Sequence, residues 1–248
     1  MINISFLPEH IFNLNSFPVT NSLLVSWIAM AILIIFAYLS TRKMELVPKG
    51  AQNFIEIIIE SLYNLITSVT SNDKESRRFF PLIATIFLFV LLSNWLGLIP
   101  GVGSVGIKEI GTDGAKIVPL FRAGSADLNF TMALAIISFF SIQYFGIISL
   151  GVFKYGKKFI NFKTPILFFV GILETIGEVA KIISFSFRLF GNIFAGEVLL
   201  LVISFLAPFI VPLPFYFLEV IVGLIQAFIF SMLTLVFLKM AIVLHEEH

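Results

Sequence analysis

The chain contains no cysteine, which excludes disulfides, thiolate metal sites and cysteine nucleophiles. Charge is scarce too. Asp, Glu, Lys and Arg make up 12% of the 248 residues, about half the share usual in a soluble domain. A net charge of +1 and no basic tract leave nothing that reads as a nucleic-acid patch. Histidine stands only at His10, His245 and His248. What fills the space is apolar: 58% of the residues are hydrophobic and 30 are phenylalanine. A soluble core of this size cannot bury that many aromatic rings, whereas lipid can solvate them. The composition describes an all-α membrane protein in one integral membrane domain, residues 1–248. The first apolar stretch follows a polar opening with no basic n-region, so a cleaved signal peptide is not expected there.

A spanning helix needs about 20 largely apolar residues. Such runs lie at about 20–40, 79–99 and 128–153. A longer apolar tract from about Thr164 to Leu244 is interrupted by Pro208, Pro212 and Pro214. Three prolines so close together favour a turn, which divides the tract into helices at about 165–206 and 215–243 and gives five spans. Between the first two spans, residues 49–71 carry Ile55, Ile58, Ile59, Leu62, Leu65 and Ile66 at helical spacing, with Asn53, Glu56, Glu60 and Asn64 on the other side. This pattern suits an interfacial amphipathic helix, or simply a connecting one. The loops at 41–78 and 154–163 hold ten Lys and Arg, against three (Lys108, Lys116 and Arg122) in the 100–127 loop. The basic side is expected to be cytoplasmic or matrix, with the N-terminus outside and the C-terminus inside.

The informative residues are ionisable and polar groups within the last two spans: Glu174, Glu178, Lys181, Arg188, Asn192, Glu197, Glu219 and Gln226. An arginine at the centre of a span costs about 2.5–3.5 kcal/mol on insertion scales, so it is kept for a partner, for water or for a function. At about 100° per residue, Glu174, Glu178, Lys181, Arg188 and Asn192 fall on one stripe, and Glu197 lies about 140° away from Glu174. Glu219 and Gln226, seven residues apart, face the same way on the next helix. The pattern suggests two wet paths, one from each side, divided by a fixed positive charge.

Simpler roles exist for several of these residues. Glu174, Glu178 and Lys181 could form a charge cluster at the water line. Asn192 and Gln226 could be interhelical hydrogen-bond glue. Glu197 or Glu219 could pair with Arg188. Two nearby carboxylates do not both ionise easily, and such a pair can pass protons. Arginine does not deprotonate in practice, so Arg188 is a permanent electrostatic wall. Beside a mobile carboxylic acid on a partner, that wall would make the acid drop its proton. No such mobile acid lies in this chain, so a moving partner is needed.

The run from Phe187 to Glu197, Phe-Arg-Leu-Phe-Gly-Asn-Ile-Phe-Ala-Gly-Glu, resembles the signature of subunit a of F-type ATP synthases. So do Glu219 through Gln226 with the following Ala-Phe-Ile-Phe, Ser-Ala-Asp-Leu-Asn at 125–129, and Ser-Asn-Trp-Leu-Gly-Leu-Ile-Pro at 93–100. The resemblance covers the whole chain in order. It implies a proton-conducting, non-catalytic stator that faces a rotor ring of subunit c, is held by the peripheral stalk subunit b, and sits in lipid with no cofactor and no metal. It implies that Arg188 stands beside the rotor carboxylate. Glu197, Asn192, Glu219 and Gln226 then line the half-channel from the outside, with Asn94, Ser125 and Asp127 at its mouth. Glu174, Lys181 and Glu178 line the half-channel from the inside.

Where the family often pairs an acid with a histidine, this chain has the two carboxylates Glu197 and Glu219, so the acid pair must suffice. A multi-pass protein of a bacterial inner membrane, or of a mitochondrial one, is expected, with ATP chemistry elsewhere because no phosphate-binding glycine loop is present. A stand-alone transporter would carry internal repeats or paired broken helices, and neither is visible here. The two-faced charged helix argues against a passive scaffold.

Overall fold

A computed structural model describes residues 10–14, 17–42, 50–99, 106–111, 114–119, 122–159, 164–208 and 210–242. Lys43, Lys49 and Lys163, three of the ten loop cations counted above, lie outside them, as do Pro100 and the C-terminal histidines. The elements run β1 (His10–Leu14), β2 (Phe17–Thr20), α1 (Asn21–Thr41), α2 (Ala51–Thr70), α3 (Asp73–Gly97), β3 (Gly106–Gly111), β4 (Gly114–Pro119), a 3₁₀ turn (Gly124–Ala126), α4 (Leu128–Leu150), α5 (Val152–Phe159), α6 (Pro165–Leu206) and α7 (Pro212–Ile242). The strands form two small antiparallel hairpins, β1 with β2 and β3 with β4, and the other elements are helices.

Among the described residues, α1, α3, α4, α6 and α7 are long and apolar enough to cross a membrane, as the apolar runs led us to expect. Their outward surface is greasy: Ile166 of α6 is 76% exposed and Phe217 of α7 71%. Water would penalise such side chains at roughly 25 cal/mol per Å², whereas lipid does not.

Helix starts follow local chemistry. Thr20 and Thr164 cap α1 and α6 by accepting from the Leu23 and Leu167 amides. Asp127 caps α4 by accepting from the Asn129 amide at 2.9 Å. Asn72 caps α3, whose first turn carries Asp73 and Glu75 and so complements the helix dipole. That cap starts α3 six residues before Phe79, the start the apolar run suggested, so its polar head reaches beyond the apolar segment.

Two boundaries differ from the sequence reading in an instructive way. The third span was expected to reach Phe153, but α4 stops at Leu150 because Gly151 adopts φ +84°, a conformation open to glycine and unfavourable for other residues. The chain then turns into the separate short helix α5. Of the three prolines assigned to the hairpin turn, only Pro208 precedes α7. Pro212 and Pro214 sit in the first turn of α7, where a missing N–H leaves no bond unmade.

The core lies where α3, α4, α6 and α7 meet. Phe87 and Val90 of α3, Leu134 and Ala135 of α4, Phe185, Leu189 and Ile193 of α6, and Ala227 and Phe230 of α7 pack there. The helix α2 lays Leu62, Ile66 and Thr70 onto this bundle while Ile57, Ile59 and Leu65 stay exposed. With 42 residues, α6 is about 63 Å long at 1.5 Å per residue, about twice the thickness of a hydrocarbon core.

Candidate functional site

The buried positions of α6 are Gly171, Glu178, Phe185, Ser186, Leu189, Ile193, Gly196 and Leu200. Their spacing of three, four and seven keeps one stripe against α4 and α7. Glu178 belongs to that stripe, seven residues before Phe185, whose ring meets Phe230 at 5.3 Å. Arg188 and Asn192 do not belong to it; both are exposed. The single polar stripe expected from the sequence is therefore divided: Glu178 faces the core, Glu174 and Lys181 are half-buried, and Arg188 and Asn192 face away.

Among the described residues the Arg188 guanidinium is held by a 3.3 Å contact of Nη2 with Ser184 Oγ. Among the described residues no carboxylate pairs with it. The alternative in which Glu197 or Glu219 neutralises Arg188 therefore does not describe this arrangement. On the same side of α6, Gly177 and Gly191 have nothing within 4 Å of where a Cβ would stand.

Toward the C-terminal end of α6 lies a second group. The Glu219 side chain of α7, 3% exposed, has its carboxyl against the Cα of Gly196, where any Cβ would overlap it. The residue after Gly196 is Glu197, whose Oε2 accepts from Arg122 Nε at 3.1 Å. Arg122, only 8% exposed, also lies over the Phe194 ring at 5.7 Å. Asn94 Nδ2 donates to the Gly223 carbonyl at 3.0 Å, and Trp95 Nε1 donates to that of Val220 at 3.2 Å, so α3 is fastened to α7 one turn from Glu219. Ser22 Oγ donates to Asp127 Oδ2 at 2.6 Å and ties α1 to the start of α4. Gln226 is buried on α7. Glu219 Oε1, Asn94 Oδ1, Ser93 Oγ, Ser125 Oγ and Ser138 Oγ are buried without a hydrogen-bond partner among the described residues. Such orphans each cost about 1–3 kcal/mol, and a bundle that keeps several of them is arranged around polar chemistry.

The third group joins α4, α5 and α6. Lys158 Nζ lies 2.7 Å from Glu174 Oε1 and 3.9 Å from Glu178 Oε1. Lys181 Nζ lies 2.7 Å from the same Glu178 oxygen and sits over the Phe237 ring at 4.6 Å. Glu178 Oε2 accepts from Gln143 Nε2 at 3.2 Å, and Gln143 Oε1 accepts from Tyr155 Oη at 2.7 Å. Burial, with the charges of Glu178 and Glu174 beside it, pushes the Tyr155 phenol up to about 12, so it is a hydroxyl donor at any physiological pH.

Arg122, Lys158, Gln143, Tyr155 and Gly196 were not among the residues singled out from the sequence. Arg122 and Lys158 entered only as loop charges. Gln143, an amide side chain well inside a largely apolar span, was a signal that sequence reading could have used. Among the described residues no group of three or more His, Cys, Asp or Glu could hold a metal ion.

Fold and site together define a multi-pass helical membrane protein with ionisable side chains packed inside its bundle. The sequence pattern of the ATP synthase A chain family matches residues 23–239. The "ATP synthase subunit a" of Campylobacter fetus subsp. fetus is 38% identical over 220 residues, 88% of each chain. The "ATP synthase subunit a 3" of Pelobacter propionicus is 38% identical over 226 residues, 90% of this chain and 87% of that one. The "ATP synthase subunit a" of Moorella thermoacetica is 34% identical over 231 residues, 93% of this chain and 94% of that one. The chain belongs to the ATP synthase A chain family.

Proposed function

We propose that this chain is the proton-conducting stator subunit of an F-type ATP synthase in a bacterial inner membrane, itself non-catalytic. It works against a rotor ring of subunit c and is anchored by the peripheral stalk subunit b. The observation that carries this reading is the division of α6. Arg188 stands on the outward face with no acidic partner among the described residues, while acids are packed behind it toward both ends. Glu178 is ten residues before Arg188 and Glu197 nine after it, about 15 Å and 13.5 Å along the helix.

Protons reach Glu197 and Glu219 from the outside, past Asn94, Ser125 and Asp127, whose region holds the unpartnered buried oxygens. Gln226 lies two turns further along α7 on the face of Glu219, and Asn192 one turn beyond Arg188 on the outward face of α6. From there the proton neutralises a rotor carboxylate. After the ring has turned, the rotor acid meets the Arg188 guanidinium, which favours its ionised form, and the proton leaves past Lys181, Glu178 and Glu174. A permanently charged arginine cannot relay a proton, so flow from one path to the other must go by way of the rotor. Each proton crossing 100 mV delivers about 2.3 kcal/mol. Arg122 takes part on the outer side by fixing Glu197, which leaves the Glu219 carboxyl as the acid with a free oxygen.

The absence of native cysteine makes the test clean. Single cysteines at Ser184 and Ala195, exposed on the Arg188 side of α6, are paired with cysteines placed on the rotor subunit in native membranes. Ile35, exposed on α1, is the control. Disulfide crosslinks from the two α6 sites and none from Ile35 are expected. Failure of both α6 sites in assembled complexes contradicts the reading and returns the transporter alternative.

A further inference from the structure

We propose that Tyr155 and Gln143 are positioning residues for proton release: a hydrogen-bond chain from α5 through α4 fixes the Glu178 carboxylate of the inner path. This rests on the conducting reading above.

The chain is directional. The Tyr155 hydroxyl donates to Gln143 Oε1 at 2.7 Å, and the Gln143 amide nitrogen donates to Glu178 Oε2 at 3.2 Å. A primary amide can sit in a site either way round, and a flip here would turn its carbonyl oxygen toward a carboxylate oxygen, acceptor against acceptor. The carboxylate itself opposes that flip, and the Tyr155 hydroxyl holds the carbonyl end in place by donating to it. An amide passes no net proton in this arrangement, so Tyr155 acts through geometry and is no link in a wire.

The second oxygen of Glu178 is taken by Lys181 at 2.7 Å, with Lys158 at 3.9 Å. Both oxygens are thereby aimed, and the carboxylate, 4% exposed, does not rotate freely. The charged and titratable groups facing it are Lys158 and Tyr155 on α5 and Glu174 and Lys181 on α6; from α7 it is the apolar Phe237 that meets Lys181.

The fold is shaped to keep Tyr155 in place. Its ring lies against Gly146, where any Cβ would strike it, and meets Phe159 edge-on at 5.5 Å. Gly151, with φ +84°, ends α4 and turns the chain so that α5 folds back over it. The break that the apolar run concealed is what delivers Tyr155 to Gln143.

Removing only the hydroxyl isolates the proposal. In the whole complex in inverted membrane vesicles, ATP-driven proton uptake is followed by dye quenching across a range of external pH. Tyr155→Phe keeps the buried ring, and Gln143→Leu removes the amide. Each is expected to lower the rate roughly two- to tenfold, the worth of one net hydrogen bond, and to shift the pH profile at unchanged complex content. In a Glu178→Gln background, Tyr155→Phe should add nothing, because its effect runs through Glu178. A wild-type rate and pH profile in Tyr155→Phe overturns the proposal. So does an additive loss in the Glu178→Gln background, which would mark a purely structural role. If Gln143→Leu fails to assemble, Tyr155→Phe alone decides. Full coupled activity in Arg188→Ala would instead overturn the conducting reading itself, whatever Tyr155 does.

Discussion

Gly196 is where one methyl group tests the outer acid. An alanine Cβ there would overlap the Glu219 carboxyl carbon and both of its oxygens. The obstacle is the far end of a flexible side chain, so the helices need not part. The carboxyl rotates away, at about 0.5–1.5 kcal/mol for leaving its rotamer. Glycine to alanine within a helix returns about 0.5–1 kcal/mol, so the net effect on folding is close to zero. The effect on transport is not. If restoring the working rotamer costs about 1.4 kcal/mol, the competent state falls about tenfold, and proton-driven ATP synthesis falls with it. Gly196→Ala should therefore assemble at wild-type levels in membranes, judged by immunoblot of the complex, yet synthesise ATP about tenfold more slowly. Adding Glu219→Asp, one methylene shorter, should recover part of the rate, although that change alone lowers it. Wild-type synthesis in assembled Gly196→Ala complexes would refute the placement of Glu219 against α6.

Other expectations follow from the same geometry. Arg122→Ala removes the 3.1 Å contact to Glu197, and a charge-assisted hydrogen bond is worth about 1.5–3 kcal/mol. Proton-driven synthesis should fall by roughly an order of magnitude or more, with Arg122→Lys recovering only part because the guanidinium fork is lost. Gly151→Ala forces a side chain into φ +84° at a cost of about 1–3 kcal/mol. It should lower the thermal stability of the detergent-solubilised complex, read as an earlier loss of its native-gel band. Gly156→Ala, with nothing within 4 Å of its Cβ position, should not.

How much of this could be read from sequence differs by residue. The spans were legible because lipid demands long apolar runs, and Arg188 was legible because a charge within such a run is costly wherever its neighbours lie. The division of α6 was not. A stripe about 80° wide holds both Glu178, which packs inward, and Arg188, which does not, and only the partner helices decide which edge is covered. Arg122 pairs with a residue 75 positions away, a distance that no local pattern spans. Gly196 has meaning only once α7 lies beside it. The loop at 100–127, read as plain loop, contains the β3–β4 hairpin. Gly151 could have been recognised as a stop, but the apolar residues that follow it, Val152 and Phe153, continued the run and hid the break.

The most direct test concerns Arg188. In membranes that hold the assembled complex, proton-driven ATP synthesis is measured for Arg188→Ala together with the passive proton permeability of the same vesicles. If a fixed charge separates two paths, synthesis is abolished while permeability is equal to or greater than that of the wild type, because protons then pass without turning the rotor. Synthesis at the wild-type rate in Arg188→Ala would contradict that separation.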